Sequence, residues 1–215
     1  MMTALRTHPA AGVAALAVLL AACAASTPTW ERFDPPPPGA TLEYAQRNTG
    51  SYGKDIQFTA TRGDTSWKGA PAVSMASSLG TTTVQHPQGG TWAVLARDGK
   101  PMLSFEPPIS APFPMKVGAS FTRRHAMTMH ASGKVVEYDL ACKVEGYEKV
   151  TVRAGTFDAF RIRCTTTIGN DETWWISPAV GGLVKTVLKR DAANPFGPGT
   201  QEQELVSRAG ARSAG

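Results

Sequence analysis

The side chains best suited to coordination chemistry stand closest together in His125-Ala126-Met127-Thr128-Met129-His130. In an extended strand successive side chains alternate between faces, so His125, Met127 and Met129 share one side. An imidazole with thioethers is a soft donor set that suits copper(I). His130 falls on the other side, which leaves three ligands at most from this stretch. The plainer reading is preferred: the methionines fill a core and the histidines are partly exposed. Copper binding through His125, Met127 and Met129 stands as the alternative, and no other metal or cofactor is implied.

Signs of catalysis are few. The sequence holds no G-x-S-x-G, H-E-x-x-H, P-loop or G-x-G-x-x-G pattern. Asp64-Thr65-Ser66 faintly resembles the aspartic-protease triplet but lacks its glycine and a second copy, so it reads as a solvated turn. Glu137, Glu145 and Glu148 fit outward strand positions. The chain is read as non-enzymatic, although a carboxylate pair needs no fixed sequence spacing.

The leader supplies the address. Residues 1–8 carry Arg6 and no acid, and residues 10–22 are an almost unbroken run of small and apolar side chains. That is the composition of a signal peptide over residues 1–22, and a spanning helix needs about twenty apolar residues, more than this run holds. Leu20-Ala21-Ala22-Cys23 resembles the lipobox of bacterial lipoproteins, in which the cysteine thiol receives a diacylglycerol and the new N-terminus is acylated. The resemblance implies lipidation at Cys23 and attachment to a bacterial envelope membrane. Ala24, in place of Asp, matches the pattern sorted to the outer membrane, facing the periplasm.

Beyond the anchor the chain is long enough for one domain. The formal net charge is +5 without any basic run, and Arg123-Arg124 is the densest basic spot. Neither that distribution nor export fits a nucleic-acid partner. Residues 23–40 hold Pro28 and the run Pro35-Pro36-Pro37-Pro38, which reads as an extended, semi-rigid tether. Residues 209–215 read as a disordered tail.

Residues 41–208 show short strand-like runs and no helical periodicity. Thirteen are discerned, at 41–48, 54–62, 65–68, 72–77, 81–86, 91–97, 101–105, 119–131, 134–152, 157–168, 172–176, 183–190 and 202–206. Their tight spacing predicts an antiparallel meander.

Two of these runs carry Cys142 and Cys164. Tyr138, Leu140, Cys142 and Val144 alternate with polar residues, as do Phe160, Ile162, Cys164, Thr166 and Ile168, so both cysteines face inward. If the turn at Arg153-Ala154-Gly155-Thr156 pairs Val152 near Thr156, Cys142 comes opposite the neighbourhood of Cys164. In an exported chain that predicts a disulfide. A redox or nucleophilic role fits poorly, since neither has a neighbouring histidine.

The stretch Val150-Thr151-Val152-Arg153-Ala154-Gly155-Thr156-Phe157 and then Trp174-Trp175-Ile176-Ser177-Pro178-Ala179-Val180-Gly181-Gly182-Leu183-Val184-Lys185 resembles a pattern of uncharacterised periplasmic β-rich domains. Their form is V-x-V-P-A-G-T-F followed by W-Y/W-x-P-x-x-G-x-V-K, and Arg153 stands where they have Pro. Pro114-Met115-Lys116-Val117-Gly118 is similar to the step that precedes it. Such domains are more distantly similar to lipoprotein carriers of the LolA and LolB type. That implies an all-β domain with one curved antiparallel sheet forming an unclosed half barrel over an apolar cavity.

In such a sheet the proline-rich segment 105–121 would lie across the open mouth as a lid, with Phe113, Met115 and Phe121 turned into the cavity. Leu140, Phe160 and whichever of Trp174 and Trp175 points inward would line it, since adjacent strand residues face opposite sides. The expected function is a non-enzymatic envelope lipoprotein binding a lipid-like molecule or an envelope protein, with a purely structural envelope component as a further alternative.

Overall fold

The structure is a computed structural model and describes residues 28–86 and 92–210. It is all-β, with twelve strands in chain order: β1 Thr41–Gly50, β2 Ile56–Trp67, β3 Ala70–Ser77, β4 Thr81–Gln85, β5 Trp92–Arg97, β6 Lys100–Glu106, β7 Ser120–Met129, β8 Lys134–Val152, β9 Gly155–Thr166, β10 Asn170–Ser177, β11 Gly182–Arg190 and β12 Gly199–Ala209. Each pairs antiparallel with its neighbours in sequence, as the tight turns require. The runs at 54–62 and 65–68 are one continuous strand, β2, paired to β3 along Ala60–Trp67.

The sheet closes, which corrects the expectation of an unclosed half barrel. β1 pairs with β2 over Thr41–Gln46 and with β12 over its whole length, Thr41 opposite Ala209 and Gly50 opposite Gly199. Closure removes both free edges, which an open sheet would have to shield by other means. The open sheet implied by the likeness to LolA- and LolB-type carriers is therefore not found, and the proline-rich segment does not stand over a sheet edge.

Apolar side chains form two clusters. The first gathers Phe105, Met115, Met127, Leu140, Phe160 and Trp174 with others from β6–β10. The second gathers Leu42, Tyr44, Val152, Phe157, Val184 and Leu205, where the end of the β8–β9 hairpin lies against β12 and the Ala154 N–H donates to the Leu205 carbonyl. Ala159 and Phe160 are both fully buried yet belong to different clusters. Since neighbours on a strand face opposite ways, β9 carries core on both faces there.

The outward faces of β7–β10 are charged. Arg124 pairs with Glu137 at 2.7 Å, and Arg163 with Asp171 at 3.0 Å. Over these strands the outer face is polar, where a membrane-spanning barrel needs an apolar band.

Candidate functional site

The site is the barrel end at which the N-terminal segment arrives. The connection between β6 and β7, residues 107–119, holds Pro107, Pro108, Pro112 and Pro114 and so cannot extend either ladder. It folds inward instead. Met115 is fully buried, and its backbone exchanges two hydrogen bonds with Trp30, at 2.8 and 2.9 Å. The Trp30 and Phe113 rings meet edge-on with centroids 5.1 Å apart, and Phe33 lies 6.2 Å from Phe113.

The segment before β1 is thus docked from Trp30 onward, where the composition read as a spacer. Phe33, Pro36 and Ala40 are buried. The chain also crosses the β10–β11 turn at Gly181 closely enough that a Cβ there would lie 2.5 Å from the Asp34 carbonyl oxygen, with φ at +67°. Only glycine fits without displacement.

The residues expected to line a cavity do come together. Phe113, Met115, Phe121, Leu140, Phe160 and Trp174 all belong to or pack against the first cluster. Met115, Leu140, Phe160 and Trp174 are buried there. The two depressions of note, about 590 and 600 Å³, are open surface grooves. Of the expected residues only Phe121 borders either of them.

Trp175 faces the other way and packs against the second cluster. Its Nε1–H donates to Glu148 Oε1 at 2.8 Å, and Lys185 Nζ stands 5.4 Å from the ring centroid. Cys142 and Cys164 form the disulfide. Cys23 lies outside the described residues.

Met127 is buried in the first cluster, His125 is buried beside that cluster's Tyr138, and Met129 packs at its edge. His125 Nδ1 donates to the Pro107 carbonyl at 2.7 Å, so β7 holds the start of the proline-rich connection in place. The ring stacks on Tyr138 with centroids 5.6 Å apart. Burial pushes its pKa below the ordinary value, the nearby Arg123 cation adds to this, and the Pro107 bond opposes it. His130 instead meets Ser104 Oγ at 2.9 Å. Among the described residues no three His, Cys, Asp or Glu side chains are grouped to hold a metal ion.

A polar group beyond Trp174 was not among the residues expected to form a site. Glu172 accepts from Trp174 Nε1 at 3.0 Å and from Asn170 Nδ2 at 2.9 Å. Burial raises its pKa despite those two bonds and the Arg190 charge. The Arg190 guanidinium lies 4.0 Å from the centre of the Tyr52 ring and 5.0 Å from that of Phe196. The shared parity of positions 172 and 174 was the available signal, since it puts both on one face of a strand.

No family model and no curated protein matches this chain. Among solved structures it is similar to a Bacteroides fragilis protein described as exported with a YmcC-like fold, at TM-score 0.47 and 11% identity over 83% of this chain and 99% of that one. A Parabacteroides distasonis protein described as a lipoprotein gives 0.46 and 14%, again over 83% and 99%. The hypothetical lipoprotein YmcC of Escherichia coli gives 0.42 and 12% over 80% and 85%.

Proposed function

We propose that this chain is a non-enzymatic lipoprotein of the bacterial envelope, anchored through acyl chains on Cys23 and facing the periplasm from the outer membrane. Its closed barrel presents the proline-rich end to an apolar or amphipathic partner. The observation that carries this reading is Leu20-Ala21-Ala22-Cys23 at the end of a short apolar leader. Several acyl chains, each buried CH₂ contributing about 0.8 kcal/mol, make a stable anchor where one would be marginal.

Geometry supports the choice of end. Six residues stand between Cys23 and Trp30, and the seven peptide steps span about 25 Å at full stretch. The barrel end that receives Trp30 therefore lies within that distance of the lipid surface. A charged outer face over β7–β10 agrees with a barrel that sits beside a membrane and does not cross it. With Leu140, Phe160 and Trp174 buried, the place for a partner is the aromatic cover, where Trp30 and Phe113 stay partly exposed over buried Phe33.

The test is metabolic labelling with palmitate in cells making the native chain or Cys23→Ala. Label in the native chain alone, together with release of the variant in soluble form, is the expected result. Equal incorporation by both would overturn the anchor.

A further inference from the structure

His125 presents a feature that packing does not explain. The carbonyl oxygen of Pro107 can only accept, so Nδ1 carries the ring proton and Nε2 keeps a bare lone pair. That Nε2 is buried and has no hydrogen-bond partner, in a residue only 1% exposed. A buried acceptor left unpaired is costly, and in a native fold it calls for a reason.

Three methionines belong to or pack against the core beside it. Met127, 3% exposed, follows two positions along the same face of β7, and Met129 comes next on that face. Fully buried Met115 joins the same cluster from the proline-rich connection, the segment whose Pro107 orients the imidazole. A histidine whose second nitrogen is fixed by a backbone carbonyl is in the state that metal-bound histidines adopt. Among the described residues no three His, Cys, Asp or Glu side chains are grouped, which disfavours the hard divalent ions. Neutral imidazole with thioethers selects a soft monovalent ion.

We propose that His125 Nε2 and the Met127 thioether are the core ligands of a buried copper(I) site, completed by a thioether from Met129 or Met115. Ion access is through the proline-rich connection, whose residues 107–115 are held by Trp30, Trp92 and His125 and not by a strand ladder on both sides. The site is independent of the anchor and of any partner at the aromatic cover.

The experiment is a copper(I) titration of the lipidated full-length protein in detergent, with the metal kept reduced by ascorbate and competed by bicinchoninate. Lipidation converts the Cys23 thiol to a thioether and keeps it from competing. One copper(I) per chain is expected, with affinity lowered about a hundredfold in His125→Gln and in Met127→Leu. The second variant conserves core volume and keeps the fold, so it decides the matter if the first does not fold. Met129→Leu and Met115→Leu identify the third ligand, and only one of them should weaken binding. No binding above the detergent blank, or the same affinity in folded Met127→Leu as in the native chain, would overturn the site and leave the methionines as core.

Discussion

Cys142 and Cys164 stand directly opposite each other, Cα atoms 4.1 Å apart, because Glu145 drops out of the ladder between them and the hairpin turn. From the turn the pairing runs Thr151 with Thr156 and Tyr147 with Phe160, and continued unchanged it would set Cys142 against Thr165. A bulge between Val144 and Gly146 shifts it by one, and Val144 then meets Ile162. The link and the bulge therefore specify the same register. Non-reducing peptide mapping should give one peptide containing both cysteines. Reduction of the otherwise intact protein should lower its unfolding free energy by about 2 to 4 kcal/mol in urea; identical midpoints with and without reductant would show that the link adds nothing.

The docked segment before β1 should contribute to stability although its composition is that of a linker. Trp30→Ala removes the edge-on contact with Phe113 and should cost about 2 kcal/mol. Gly181→Ala forces the Asp34 backbone away and should cost about 1 kcal/mol or more. Thermal melts of both variants check this, and a free tether would leave the two midpoints at the native value.

If the aromatic cover receives an amphipathic partner, a fluorescent fatty-acid analogue should bind at about micromolar strength, near −8 kcal/mol, and quench tryptophan emission. Phe113→Asp places a charge beside Trp30 and Phe33 and should abolish binding while the far-ultraviolet spectrum stays that of a β protein. Unchanged affinity in that variant would exclude the cover as the binding place.

The meander was legible because alternation and turn residues are local signals. The run at 134–152 coincides with β8, and the even face of Tyr138, Leu140 and Cys142 is the buried one. Closure was not legible, because β1 and β12 meet from opposite ends of the domain and no local pattern encodes which edges join. Prolines hid the docking of Trp30 and Phe33, since a segment can be unable to join a ladder and still bury its aromatic rings. For His125, alternation along the strand revealed the face and its neighbours, while the bond to Pro107 that leaves Nε2 bare depends on a loop path no periodicity describes.

Glu172 gives a pH dependence of one sign. Its carboxyl is raised above 4.5 in the folded state, chiefly by burial, so the native protein holds this proton more tightly than the unfolded chain. The contribution is full below the unfolded value and is lost as pH rises through the folded value. Glu172→Gln removes the titration, so the difference in stability between variant and native chain should shift in the variant's favour as pH is raised from about 4 to 7. Urea midpoints for both across that interval measure it, and a constant difference would mean that Glu172 titrates alike in both states.

His125 gives the opposite sign. Its pKa is held below 6.5, with burial the largest cause, so the native state binds this proton less readily than the unfolded chain. Stability from this residue is complete above 6.5 and is lost as pH falls through the folded value. Protonation would add an N–H at Nε2, where the ring has no acceptor, and set a cation near Arg123 and against Tyr138. Since Nδ1 also ties down Pro107, acidification should loosen the proline-rich connection before the barrel itself. Hydrogen exchange at the Ile109 and Met115 amides, bonded to Trp92 and Trp30, should therefore speed up between about pH 6.5 and 5 relative to the amides of β8 and β9, once the intrinsic pH dependence of exchange is removed. In His125→Gln the extra acceleration should vanish, and its persistence there would place the acid sensitivity elsewhere in the barrel.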